Sequence, residues 1–134
     1  MPTRSAREID LDPRTYVGLS FPLRADNNNN FAMTKSSLQQ SVHNLKNLLL
    51  TSLRERPSNP KFGSRLKELV FEQIDDELPE KIEGEIRKAV GGWLPYINII
   101  DVITLTKGGD KNQIVVTVKF STSLDPQATN TLDI

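Results

Sequence analysis

Apolar residues recur at intervals of three and four along the middle of the chain, which predicts amphipathic helices. The longest such stripe predicts a helix of about 15 residues that Thr34 would cap. Its apolar positions are Leu38, Val42, Leu45, Leu49 and Leu53. Two shorter helices are predicted next, one capped by Ser64 and one beginning near Asp76 and ending at Gly91-Gly92.

Alternating apolar positions predict strands towards the end of the chain. They comprise Ile114, Val116, Val118 and Phe120. A segment rich in isoleucine and valine, 97–106, precedes them, and a turn at Lys107–Asp110 would join the two into a hairpin. A third strand is predicted around Leu19, at a sheet edge because the nearby Pro22 cannot donate a ladder hydrogen bond.

The two ends of the chain show neither periodicity. Residues 1–15 are polar and charged, and we expect an arm that becomes ordered only on a partner. Residues 123–134 are predicted to be a mobile C-terminal tail. Residues 16–122 would then form one α+β domain, in which about three helices pack on a small antiparallel sheet. That sheet would consist of the C-terminal β-hairpin and the N-terminal edge strand.

Composition excludes several classes of function. Lysine and arginine together number 17, as do aspartate and glutamate, so no bulk field would hold nucleic acid or an anionic membrane. The chain has no cysteine and one histidine, which removes disulfides and thiolate chemistry and leaves little for a metal. No stretch has the length of a membrane span or the pattern of a signal peptide. We expect a soluble protein without a cofactor.

Candidate catalytic residues are few. His43 lies off the centre of its apolar stripe and no nucleophile motif accompanies it, which favours a surface or boundary position. Glu80 and Glu83 are one helical turn apart, and Glu83 would pair with Arg87 at i,i+4. These acids therefore indicate a solvated helix face, not the two carboxylates of a glycosidase.

Two segments are predicted to shape a surface. The corner Arg56-Pro57…Pro60-Lys61-Phe62-Gly63 interrupts the helical pattern with two prolines, which restrict the backbone of the preceding residues. Phe62 would insert into the core, and Gly63 would allow a close backbone approach. The loop Trp93-Leu94-Pro95-Tyr96 is interpreted in two ways, as a cover for the core or as an anchor for a partner.

The order of these features resembles the family of small baseplate wedge proteins of contractile-tailed phages, which has relatives in contractile injection and type VI secretion machines. The resemblance runs from about Phe31 to Phe120. Its most specific part is the Arg-Pro…Pro-x-Phe-Gly corner followed by Leu66-x-x-Leu69-Val70-Phe71. One motif departs from the family pattern, because Leu94-Pro95-Tyr96 stands where the family typically carries Glu-Pro-Arg, so only Pro95 carries over.

The resemblance implies a structural subunit of a tail baseplate wedge, located in the virion and assembled in the host cytoplasm. Its partners would be larger wedge subunits, the tail sheath protein, and hub or tube-end proteins. Trp93, Leu94, Pro95 and Tyr96 would form the partner-binding loop. Sheath assembly would begin by strand addition, either at an edge formed by Ile114, Val116, Val118 and Phe120 or near Leu19.

Two other functions remain open at this level. Members of the family are sometimes labelled lysozyme-like, which would make the protein a tail-associated peptidoglycan hydrolase. The sequence offers little support for this, since no isolated carboxylate in apolar surroundings is evident. A free-standing cytoplasmic adaptor would have the same composition.

Overall fold

The computed structural model of the chain describes residues 5–72, 75–106 and 113–134, which divide into two units, Met1–Asn47 and Leu48–Ile134. The helices are α1 Ala6–Leu11, α2 Ser37–Leu50, α3 Leu66–Val70 and α4 Leu78–Trp93. The strands are β1 Gly18–Leu19, β2 Met33–Thr34, β3 Ile97–Thr106, β4 Ile114–Thr122 and β5 Asp125–Asp133. These elements confirm the α+β class, with one two-stranded and one three-stranded antiparallel sheet among the described residues.

The segment predicted as a disordered arm contains α1. Ser5 and Glu8 form a reciprocal capping box, in which each side chain accepts a hydrogen bond from the other residue's backbone N–H. Asp10 then accepts hydrogen bonds from the backbone N–H and the hydroxyl of Ser37, at 2.7 and 2.8 Å. Residues 5–15 are thus ordered by contacts within their own unit, where short polar side chains satisfy the helix end.

The strand predicted near Leu19 does form, but it belongs to a sheet of its own. β1 pairs antiparallel with β2, with Gly18 opposite Thr34 and Leu19 opposite Met33. Thr34 lies in β2 and is not the cap of α2. Ser36 has that role, since its hydroxyl accepts a hydrogen bond from the backbone N–H of Gln39 at 3.2 Å.

The second unit packs α4 on α3 and on β3. Its sheet has the order β3-β4-β5. Ile82, Ile86 and Val90 lie one turn apart on α4 and are fully or almost fully buried. The other buried apolar side chains of this unit are Leu48, Leu49, Leu66, Leu78, Ala89, Ile97, Val116, Val118, Phe120 and Leu132. Gly91 and Gly92 do not end α4, which continues to Trp93.

The predicted sheath-facing edge was wrong. β4 pairs with β3 on one side and with β5 on the other, so its backbone groups are used within the sheet. The side chains of Val116, Val118 and Phe120 are at most 2% exposed, and Ile114 is half-buried. The regular alternation on this strand therefore marks a core face and not a free edge.

The predicted mobile tail was also wrong, because Asp125–Asp133 forms β5. Val116 and Ile134 exchange two backbone hydrogen bonds of 3.0 Å, and the pairing continues from Thr117↔Asp133 to Phe120↔Asn130. Backbone pairing holds a segment whose side chains are mostly exposed. The predicted turn at Lys107–Asp110 lies outside the described residues.

Candidate functional site

The predicted corner is a closed loop between α2 and α3. The backbone N–H of Ser64 donates to the carbonyl of Thr51 at 2.9 Å, and the N–H of Arg54 donates to the carbonyl of Pro60 at 2.8 Å. The buried hydroxyl of Ser64 donates to the carbonyl of Leu49 at 2.8 Å. These bonds join the two ends of the loop, so its shape is set by its own backbone.

Both prolines occupy the second position of a turn. The N–H of Asn59 donates to the carbonyl of Arg56, and the N–H of Phe62 donates to the carbonyl of Asn59, at 3.2 and 3.1 Å. Pro57 and Pro60 each follow the first residue of one of these turns, where a φ near −65° is required. The exposed prolines therefore restrict the loop before any partner binds.

Gly63 closes the loop in a conformation that other residues rarely adopt. Its φ is 125°. A Cβ at this position would lie 2.5 Å from the carbonyl oxygen of Thr51, closer than van der Waals contact permits. Glycine is therefore required here both by the backbone angle and by the close approach of the backbone at Thr51.

The structure brings the corner together with the first residue of the predicted partner-binding loop. The guanidinium carbon of Arg56 lies 4.1 Å from the ring centroid of Phe62, and the rings of Phe62 and Trp93 meet edge to face at 5.2 Å and 68°. We call Arg56, Phe62 and Trp93 the corner cluster. Phe62 was predicted to be a buried peg, but it is half-buried between these neighbours.

The rest of the predicted loop has a different arrangement. Leu94 caps α4, with its N–H donating to the carbonyl of Val90 at 2.8 Å, and its own carbonyl accepts from Ile97 at 3.0 Å. The carbonyl of Tyr96 accepts from the N–H of Ser123 at 2.9 Å. Leu94, Pro95 and Tyr96 thus form a short connection between α4 and β3, and Trp93 at the start of the loop packs on Phe62 of the corner.

Glu55 and Lys67 lie together at the start of the corner. The carboxylate of Glu55 accepts a hydrogen bond from the backbone N–H of Ser52 at 2.7 Å, and Lys67 Nζ lies 3.8 Å from it. The hydrogen bond and then the lysine charge lower the pKa of Glu55. Glu55 therefore stays ionised at neutral pH and holds the first turn of the loop.

Asp75, Glu77 and Glu83, three of the acids that could have served a hydrolase, are paired with cations. Glu83 pairs with Arg87 at 2.8 Å, and Glu77 lies 3.6 Å from Lys81. Asp75 and then Glu77 raise the pKa of Lys81. The backbone N–H of Arg65 donates to Glu85 at 3.0 Å. The carboxylates of Asp75, Glu77 and Glu83 are partly or largely exposed, a setting unlike the apolar pocket of a general acid.

His43 is also structural. Its Nδ1 lies 3.1 Å from the backbone nitrogen of Phe21 and 2.8 Å from the carbonyl oxygen of the same residue, and the side chain is half-buried. Within the described ranges, no group of three or more potential ligands could hold a metal ion, and no helix is long and apolar enough to cross a membrane.

The contact between the corner and Trp93 is the feature that sequence reasoning missed. Phe62 and Trp93 are separated by some 30 residues, and no local pattern predicts such a pairing. The only signal was compositional, since arginine and tryptophan are enriched where proteins bind one another. For β5, the weak signal was Thr129 and Thr131 at alternate positions.

The sequence of this chain matches the model of a known protein family. Residues 36–127, more than half of the chain, match the family model described as Baseplate wedge protein gp25. The chain belongs to this baseplate wedge family. The matched range contains the corner and Trp93 together with most of the sheet. A wedge protein of this family is a structural component of a tail baseplate.

Solved structures share the fold of this wedge protein at low sequence identity. The anti-feeding prophage baseplate contains a chain that is 21% identical, with a TM-score of 0.70, covering 78% of this chain and 83% of that one. For a chain of the postcontracted pyocin R2 baseplate the values are 18%, 0.60, 75% and 97%.

A third structure, from Geobacter sulfurreducens and provisionally described as a tail lysozyme, is 22% identical with a TM-score of 0.65, over 76% of this chain and 92% of that one. No curated protein matches the chain significantly. At these identities the likeness to solved structures shows the fold alone.

Proposed function

We propose that this wedge protein joins larger wedge subunits through the corner cluster and starts the tail sheath by accepting a sheath strand on the outer edge of β5. The order β3-β4-β5 carries the second part of the proposal, because it leaves one side of β5 without a partner strand among the described residues. An unpaired edge is a template for strand addition.

The pairing pattern indicates which groups of β5 face outward. Val116 and Ile134 exchange both of their hydrogen bonds, and antiparallel ladders alternate in this respect. Leu132 and Asn130 therefore direct their backbone groups at β4, whereas Asp133 and Thr131 direct theirs away from it. A sheath strand would bond to this second set.

The outer edge of β3 is less suited to accept a strand. A register shift between Ile99 and Asp101 interrupts its pairing with β4, and such bulges twist and disrupt an edge. Arg87 already donates to the carbonyl of Ile99 at 3.1 Å. β5 has neither obstacle between Asn130 and Asp133, and it contains no lysine to block an incoming strand.

The corner cluster suits the binding of larger wedge subunits. Trp93 is 37% exposed and is held in place by Phe62, which is itself stacked under Arg56. Rigid, partly exposed aromatic and arginine side chains are the groups that most often dominate protein interfaces. The closed loop lowers the entropy cost of ordering Arg56 and Phe62 when a partner binds.

Two proline substitutions on neighbouring residues test the strand-addition proposal. Thr131→Pro removes an outward N–H, whereas Asn130→Pro removes an N–H that bonds to β4. We expect Thr131→Pro to fold and to enter baseplates that then fail to acquire sheath in electron micrographs. Asn130→Pro should instead lower the stability of the isolated protein by about 1–2 kcal/mol.

Thr131→Val, which keeps the N–H, is the matched control and should start sheaths normally. Normal sheath initiation by a folded Thr131→Pro protein would contradict the proposal. The same preparations should be assayed for clearing of peptidoglycan. Clearing that disappears with Glu83→Gln would instead support the hydrolase function.

A further inference from the structure

The two-stranded sheet of the first unit has one covered face and one apolar exposed face. On the covered face, a Cβ added to Gly18 would meet the side chain of Gln40 of α2 at 2.5 Å, and Thr34 is 3% exposed. Leu19 and Met33, directly opposite each other, are both 46% exposed. Phe31 alternates with Met33 and is 63% exposed. We call Leu19, Phe31 and Met33 the ribbon face.

The ribbon face carries more exposed apolar surface than its sheet requires. An isolated pair of strands is marginally stable and needs packing on a face. On the covered side Gln40 of α2 supplies it, lying against Gly18 and hydrogen-bonding with Thr34. On the other side, Leu19, Phe31 and Met33 keep 46–63% of their surface exposed. Contiguous patches of this kind mark interaction sites.

Charges around the ribbon face indicate the chemistry of its partner. The carboxylates of this unit accept hydrogen bonds from backbone N–H groups. Glu8 accepts from Ser5, Asp10 from Ser37, Asp12 from Arg14, and Asp26 from Asn28 and Asn30. By contrast, the side chains of Arg14, Arg24 and Lys35 form no ion pair with any residue that the structure describes. Lys35 Nζ lies over the ring of Tyr16 at 5.7 Å. The unit therefore offers cations without competing carboxylates.

We infer that the ribbon face binds an amphipathic helix whose apolar stripe is flanked by carboxylates. Leu19, Phe31 and Met33 would pack against the stripe, and Arg24 and Lys35 would pair with the flanking acids. A helix fits better than a strand, because a strand added at an edge would leave the apolar side chains in water. Two strands are about 5 Å apart, and a helix of about 10 Å diameter laid across them covers both.

This inference rests on the proposed function, since the helix would belong to a larger wedge subunit. The contacts differ from those of the corner cluster and of the β5 edge, so each can fail separately. Binding at the ribbon face would depend on salt, because rim charges act mainly through screened attraction.

The test places a photoreactive benzoylphenylalanine at Phe31 in the full chain, assembles baseplates, and maps the cross-linked segment by mass spectrometry. A second protein carries the same group at Phe71, which is 90% exposed and lies in the other unit. We expect Phe31 to cross-link to a helical segment of a wedge subunit in which acids outnumber bases, and Phe71 to label a different segment or none.

Charge variants in the same assay address the flanking acids. Arg24→Glu with Lys35→Glu should reduce the Phe31 cross-link about tenfold, while Arg24→Lys with Lys35→Arg should keep it. Cross-links to sheath, to a second copy or to a basic segment, or their absence from assembled baseplates, would overturn the inference and leave the wedge function standing. Baseplates that assemble without this chain would overturn both.

Discussion

β4 and β5 are neighbouring strands of nine residues each, yet they differ in what their sequences reveal. β4 alternates apolar and polar residues, and Val116, Val118 and Phe120 are buried. β5 is polar, and Leu132 is its one buried residue. The sequence of β4 predicts a strand, whereas the sequence of β5 predicts a tail.

The difference shows what alternation measures. It reports that one face of a strand is covered by other elements, and this is most regular for a central strand. It does not report which strands pair, because backbone hydrogen bonds leave no trace in the side chains. The strand that looked most like an exposed edge is therefore the centre of the sheet, and one of the two edges belongs to the segment without a pattern.

The largest effect should come from the centre of the sheet. Phe120 is fully buried, so Phe120→Ala should lower the free energy of unfolding by about 3–5 kcal/mol through lost burial and a cavity. Denaturant unfolding of the isolated protein measures this, with Phe120→Leu as the control that keeps most of the volume. A loss below about 1 kcal/mol would mean that β4 is not the core strand.

The corner, like β5, is held by backbone hydrogen bonds, but unlike β5 it was predicted from the sequence. Gly63→Ala must place a Cβ against the carbonyl of Thr51 at a φ of 125°, so we expect a loss of about 2–4 kcal/mol. Gly84→Ala on α4, where a Cβ meets nothing within 4 Å, should be neutral or stabilise by about 0.5–1 kcal/mol. Similar unfolding midpoints for the two variants would show that Gly63 is not constrained.

These cases indicate how far sequence reasoning could go. The stripes on α2 and α4, the turn residues of the corner and the strands β3 and β4 each have a local chemical cause, so they were predictable. α1 is too short for periodicity, and its order depends on Asp10 reaching Ser37, 27 residues away. The packing of Phe62 on Trp93 and the pairing of β5 likewise depend on residues distant in the chain.

The smallest predicted effect tests whether side-chain burial or backbone pairing alone holds β5. If burial contributes beside backbone pairing, Leu132→Ala should destabilise the protein by about 2 kcal/mol, at the low end for leucine because an edge strand can relax. Thr131→Ala, at an exposed position next to it, is the control and should change stability by less than about 0.5 kcal/mol. Equal, small effects at both positions would mean that hydrogen bonds alone hold the strand. β5 would then be the least stable element of the sheet, and a sheath strand could displace it from β4 instead of adding beside it.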